Sequence, residues 1–266
     1  LTHDPWSDQY AFIVDNTPPT VNSVAITDVV GAQNSFVNAG DRVYVTATFN
    51  EAYPSAVIVD NTSAATLTLV VDSDNRTTTY FSGDNTATSG FNAKLVFLYT
   101  IQETGTSGEN DSNGIRILGD TLPLNIITII DRAGNIATDL THDALSDNPS
   151  YKVDTILPAV ITFEMDDREI KTGDNATVDL VFSEPVIGFS STPDITIPPI
   201  DNGPGQGRAS GTLSTMTSDD NITWTGTFMP TFPDTEDWTN TLTLDNASYT
   251  DYDYNTGSPE TSENYM

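Results

Sequence analysis

Two sets of oxygen-bearing residues recur along this sequence at matching places. Asp15, Glu51, Asp131 and Asn135 form the first, and Asp154, Glu184, Asp251, Asp253 and Asn255 the second. Carboxylates and amides without His or Cys make hard donors, and a cluster of them suits Ca²⁺, which takes 6–8 oxygen ligands. The chemistry they offer is therefore metal coordination, provided that the fold brings them together.

Matching intervals make that convergence an expectation. Gly40 to Glu51 and Gly173 to Glu184 span the same distance, and each runs from Gly-Asp through an alternating strand to Phe and then Glu. The turn "DRAGN" at 131–135 answers "DYDYN" at 251–255. The opening "LTHDPWSDQYAFIVDNTPP" returns at Leu140 as "LTHDALSDNPSYKVDTILP", pairing Leu1 with Leu140, His3 with His142, Asp15 with Asp154 and Pro19 with Pro158 without a gap. Self-similarity at a fixed spacing marks a repeat array. The boundaries expected are 1–14 as the last strand of a preceding repeat, 15–153 as a first domain and 154–266 as a second.

The elements that must position these acids read as strands. "DRVYVTATF", "ATLTLVV", "KLVFLYTI", "NIITIID", "ATVDLVF", "ITWTGTF" and "TLTLD" are short and rich in β-branched and aromatic residues, and several alternate apolar with polar. Turn clusters such as "NAGD", "SGDNTATSG" and "DNGPGQG" separate them. No amphipathic helical stretch of useful length intervenes. The expected class is all-β, as tandem immunoglobulin-like Greek-key β-sandwiches. With the strands before Glu51 and Glu184 as second and those before the two Asp-x-x-x-Asn turns as sixth, both sets of acids fall at the end where the chain enters each sandwich. The competing reading is that Asp and Asn merely build these turns, since both tolerate left-handed backbone.

Composition narrows the classes of partner. Against 38 acidic residues stand 9 Lys and Arg, a formal charge of -29. Such a surface repels phosphate backbones and anionic membranes, so nucleic acid is excluded as a partner. The longest apolar runs are far too short for a bilayer span, so no membrane insertion is expected. The absence of cysteine removes disulfides and thiolate sites. Neither end carries a signal peptide or lipidation motif, so targeting information is expected outside this stretch.

Several motifs carry a resemblance. "VNSVAITDVVGAQNSFVNAGDRVYVTATFNEA", "NGIRILGDTL", "IIDRAGNIATDLTH" and "YKVDTILP" resemble the bacterial Ig-like repeats found in tandem in very large secreted and cell-surface adhesins. "MDDREIKTGDNATVDLVFSEPVIGF", "GTLSTMTSDDNITWTGTFMP" and "LTLDNASYTDYDYNTGSPETSENYM" resemble a second Ig-like repeat type that accompanies the first. The resemblance implies a non-catalytic extender or stalk, often stiffened by Ca²⁺ at its joints, in proteins of biofilm or surface attachment. Its partners would be neighbouring Ig-like domains of the same or an adjacent chain, and its place extracellular, at the cell surface. Similar arrays build prokaryotic surface layers, which makes a surface-layer or filament subunit the alternative. One departure stands out: Tyr254 replaces the Gly of the family's Asp-x-x-Gly-Asn turn.

Catalytic patterns are missing. His3 and His142, the two histidines, share one repeat position, which favours a structural role for each, and no nucleophile elbow, zinc triad or phosphate loop occurs. Among Trp6, Trp224 and Trp238, Trp224 lies in an alternating strand and reads as core or sheet surface. Trp238, in the loop "FPDTEDWTN", is the candidate platform for cell-surface glycans, which gives a carbohydrate-binding module as a further alternative. Sequons at Asn61, Asn75, Asn110, Asn175, Asn221 and Asn246 fit a glycosylated envelope protein.

Overall fold

The computed structural model describes residues 14–51, 57–60, 62–84, 94–102, 109–123, 127–171, 173–197, 210–231, 240–245 and 249–265. The described residues form two compact units, one ending at Val153 and the other beginning at Asp154. Trp6, Trp238, His3, Asn61 and Asn246 lie outside them, as does the expected strand within 1–14 up to residue 13.

In unit 1 the principal sheet is antiparallel, its strands ordered Val21–Val30, Arg42–Phe49, Lys94–Thr100, Thr79–Asp84. Side chains alternate across a pleated strand. Val43, Val45, Ala47 and Phe49 accordingly point inward together with Leu95, Phe97 and Tyr99 of the paired strand. They meet Leu67, Leu69, Ile115, Ile117, Ile129 and Val153 from short strands, and all of these belong to one core. Those short strands pair Thr68–Val71 with Asp74–Thr77 and Arg116–Ile117, Ile58–Val59 with Ile129–Ile130, and Lys152–Asp154 in parallel with Phe36–Val37.

Unit 2 repeats the plan. Val160–Met165, Ala176–Phe182, Thr223–Thr231 and Ser210–Leu213 form one antiparallel sheet, and Ile195–Thr196, Thr243–Leu244 and Glu260–Thr261 another. Ala176, Val178, Leu180 and Phe182 alternate strictly into a core shared with Phe228, Leu244, Tyr249 and Tyr265. Phe182 packs against both Phe189 and Tyr249, at centroid distances of 5.7 and 4.9 Å. Each unit is thus an all-β sandwich, and the strand ending in Phe49 or Phe182 delivers a Glu two residues later to the end of the sheet.

Two polar features complete unit 1. Glu109, 2% exposed, accepts from Tyr99 Oη at 2.6 Å, from Gln102 N at 2.9 Å and from Arg76 Nε. His142 accepts the Thr121 amide at Nε2 (3.2 Å), which leaves Nδ1 to donate to the Asp143 carbonyl at 3.1 Å. The ring is held by main-chain groups on both sides, a structural role.

Candidate metal centres

Asp15, Glu51 and Asp131 come together in unit 1, with one carboxylate oxygen from each lying within 4.8 Å of the others. Asp154, Glu184 and Asp251 do the same in unit 2. Residues as far apart as Asp15 and Asp131, or Asp154 and Asp251, meet because the leading segment, the Glu that follows the Phe-ended strand, and the closing turn share one end of each sandwich. Two oxygens on a common Ca²⁺ are separated by at most about 5 Å, twice the usual 2.3–2.6 Å bond. The clusters fall within that span.

Local backbone builds both sites in the same way. Asp131 N donates to Asn135 O at 3.0 Å, and Asp251 N to Asn255 O at 3.1 Å. The Asp131 carboxylate accepts the Asn135 main-chain amide at 2.8 Å, and Asp251 accepts that of Asn255 at 2.9 Å. Fourth in each turn is a left-handed residue, Gly134 at φ 95° and Tyr254 at φ 69°. Tyr254 therefore reproduces the conformation of the glycine it replaces. At the leading segment, Asp15 Oδ1 accepts from Thr17 N and Asp154 Oδ1 from Ile156 N, both at 2.9 Å.

The asparagines enter these sites as donors. Asn135 Nδ2 bonds Asp131 Oδ2 at 2.8 Å and the Asp15 carbonyl at 3.1 Å. Asn255 Nδ2 bonds Asp251 Oδ2 at 2.9 Å and the Asp154 carbonyl at 3.2 Å. Each amide nitrogen thus braces one carboxylate and one main-chain oxygen. Those carbonyls, invisible to a reading of side chains, are additional oxygens at the site.

Asp253 stands outside the tight group of three. Its amide donates to Asp251 Oδ1 at 2.8 Å, and its carboxylate adds negative charge beside Glu184. Ala133 holds the same place in unit 1, so the second cluster is the more acidic.

Electrostatics single out the glutamates. Glu51 is 7% exposed, and its buried Oε1 has no hydrogen-bond partner. Burial, reinforced by Asp131 and Asp15, pushes its carboxyl up to about 7. Glu184 is likewise pushed up to about 7, by burial first and then by Asp251, Asp154 and Asp253. Asp154 is also raised, chiefly by burial. A carboxylate desolvated among like charges strongly disfavours its charged form unless a cation joins it. The orphaned Glu51 oxygen and the all-oxygen donor set fit a hard divalent ion. Two further acids of unit 1 are committed elsewhere: Glu109 as above, and Asp111 to the amides of Asp72, Asn113 and Gly114 at 2.7–3.0 Å.

Trp224 is partly buried and meets Phe189 edge-on at 4.9 Å, packed on the unit 2 core.

Residues 154–266 match the family described as Bacterial Ig-like domain. Among solved structures, the chain is similar to the adhesin FdeC of Escherichia coli at 11% identity and a TM-score of 0.31, covering 92% of this chain and 62% of that one. It is similar to an I-band fragment of titin at 11% and 0.34, covering 92% and 64%, and to the titin z1z2 domains in complex with telethonin at 12% and 0.24, covering 94% and 95%. The chain thus spans less than two thirds of the first two. These scores add nothing to the fold, which stands on the strands and cores described above. Among curated proteins, none matches this sequence. No helix among the described residues is long and apolar enough to cross a membrane.

Proposed function

We propose that this chain is a non-catalytic extender segment of a large extracellular surface protein, of the adhesin-stalk kind, and that Ca²⁺ binds at the leading end of each Ig-like unit. The observation that carries the reading is Glu51: a nearly buried carboxylate with an unpartnered oxygen, facing two further carboxylates. Asp15, Glu51 and Asp131 hold the ion in unit 1 with the Asp15 carbonyl near at hand. Asp154, Glu184 and Asp251 hold it in unit 2, with Asp253 adding charge.

The role is mechanical. Asp154 is the last residue of the strand Lys152–Asp154 and the first of unit 2, so an ion bound to it restrains the segment where the chain passes from one unit to the next. With the ion removed, carboxylate repulsion loosens that segment. The bacterial Ig-like family of unit 2 supports placement at a cell surface.

The test is small-angle scattering in EDTA and then in millimolar Ca²⁺, paired with calorimetric titration, on the parent and on an Asp154→Ala, Glu184→Ala variant. The expected result is saturable Ca²⁺ binding, with a rise in maximum dimension and Tm that the variant reduces. Unchanged dimensions, unchanged Tm and no heat of binding in the parent would sink the proposal and leave the acids as turn-forming residues.

A further inference from the structure

The two acid clusters share one local frame. Asn135 and Asn255 each brace a carboxylate, at 2.8 and 2.9 Å, and a leading-segment carbonyl, at 3.1 and 3.2 Å. The main-chain amides of the same asparagines lie 2.8 and 2.9 Å from the carboxylates of Asp131 and Asp251. At the leading segments, Asp15 and Asp154 each accept a main-chain amide at 2.9 Å. Every matched pair of distances agrees to within 0.1 Å. Glu51, 7% exposed with an unpartnered Oε1 among the other carboxylates, points to a cation in unit 1, and unit 2 rebuilds that frame bond for bond. Local rigidity does not separate the two sites.

Charge does. The closing turn of unit 1 runs Asp131, Arg132, Ala133, Gly134, Asn135, and that of unit 2 runs Asp251, Tyr252, Asp253, Tyr254, Asn255. Asp253 brings a fourth carboxylate to unit 2: it makes a side-chain hydrogen bond with Asp154, and its charge acts on Glu184. Ala133 offers no side-chain oxygen at that place, and Arg132, exposed one residue from Asp131, contributes positive charge instead. Four carboxylates with no cation in the turn thus stand against three with one. Ligand charge count and rigidity tune the Ca²⁺ affinity of an oxygen site, and here rigidity is matched. Even at the dielectric constant of water, a unit charge about 6 Å from a divalent ion is worth about tenfold in affinity.

We propose that the two sites are graded: unit 2 takes up Ca²⁺ at about one tenth of the concentration that unit 1 requires, with Asp253 and Arg132 setting the interval. The inference rests on the calcium reading above and adds an order of loading to it. Over the intermediate range the ion holds Asp154, and with it the segment where the chain passes from one unit to the next, while the segment led by Asp15 stays unrestrained. Stiffening then proceeds in two steps as Ca²⁺ rises, so that one chain answers two ranges of concentration.

The test isolates each site by calorimetric Ca²⁺ titration at low ionic strength, where exposed charges are least screened. An Asp15→Ala, Glu51→Ala variant leaves the unit 2 site, and an Asp154→Ala, Glu184→Ala variant leaves that of unit 1. The first is expected to bind Ca²⁺ about tenfold more tightly than the second. With both sites present, Asp253→Asn is expected to weaken the tighter phase by about tenfold, and Arg132→Tyr with Ala133→Asp to strengthen the weaker phase until the two merge. Arg132 and Ala133 are exposed and Asp253 half-buried, so these turn substitutions keep the parent Tm and carry the comparison even where the alanine pairs lower it. Equal affinities, a tighter site in unit 1, or an interval indifferent to the turn substitutions would overturn the grading and leave the calcium reading standing. Absence of saturable binding in the parent overturns both.

Discussion

Asn255 donates its side-chain amide to the carbonyl of Asp154, 101 positions earlier, at 3.2 Å. That bond fastens the first residue of unit 2 to the turn near its end, and Asn135 fastens Asp15 in the same way. The link is separable from charge. Asn255→Ala removes it while keeping every carboxylate, and should destabilise unit 2 by about 1–2 kcal/mol, the range for a buried hydrogen bond lost with its acceptors left in place. Ca²⁺ affinity, measured by calorimetry, should weaken but survive, whereas Asp251→Ala should abolish binding to that unit.

The raised glutamates set the pH dependence of the metal-free protein. Glu51 titrates near 4.5 when unfolded and about 7 when folded. The stability it contributes is fully present below pH 4.5 and is lost as pH rises through about 7, because the unfolded chain ionises first. Thermal melts in EDTA should therefore show Tm falling between pH 5 and pH 8, with roughly 2–4 kcal/mol from Glu51 and less from the more exposed Glu184. The lowered carboxyls of Asp139, Asp166 and Asp220 act below pH 4 and leave that window untouched. Glu51→Gln should flatten the fall in unit 1.

Calcium affinity should rise across the same window, since each glutamate must shed its proton to ligate. Titrations at pH 6 and pH 8 in two buffers of different ionisation enthalpy should detect the released proton at pH 6 and little at pH 8. Equal proton release at both values would count against glutamate ligation.

Tyr254 keeps a left-handed backbone with its side chain 45% exposed. Left-handed conformation costs an ordinary L-residue about 1–2 kcal/mol, and glycine escapes that cost. Tyr254→Gly should stabilise unit 2 by up to about 1 kcal/mol by chemical denaturation. Gly134→Ala, where an added Cβ meets nothing within 4 Å, should destabilise unit 1 by a similar amount for conformational reasons alone.

Arg76 pairs with a carboxylate that is almost entirely out of water. Removing one partner of a buried pair leaves the other charge uncompensated, at about 3–5 kcal/mol. Arg76→Met should fall near or below the low end of that range, because Tyr99 and the Gln102 amide still serve Glu109. Arg76→Met with Glu109→Gln should recover much of the loss, which a double-mutant cycle on Tm would show.

What the sequence revealed tracks how many neighbours a strand has. Arg42–Phe49, Lys94–Thr100, Ala176–Phe182 and Thr223–Thr231 lie inside their sheets, and their segments announce themselves by alternation. Val21–Val30, Thr79–Asp84 and Val160–Met165 are edge strands, and none stood out. Val21–Val30 is the longest strand among the described residues, but irregularities between Val21 and Ser23 and between Ile26 and Asp28 shift its register, so no single face stays apolar along it. Thr79–Asp84 and Val160–Met165 carry the same kind of irregularity. The acids were legible because they recur at matching places in the two repeats, and the structure groups three carboxylates of each set. The bracing by the asparagine nitrogens was not legible, since residue type does not say which groups an amide donates to. The main-chain oxygens of Asp15 and Asp154 leave no trace in residue type.

Each acid cluster draws its first member from the opening of a unit and its last from a turn close to that unit's end. A half-made unit consequently has no complete cluster: Asp154 and Glu184 wait for Asp251 to emerge. The grouped carboxylates therefore exist only in a unit whose two ends have met, which ties whatever the cluster does to closure of the topology.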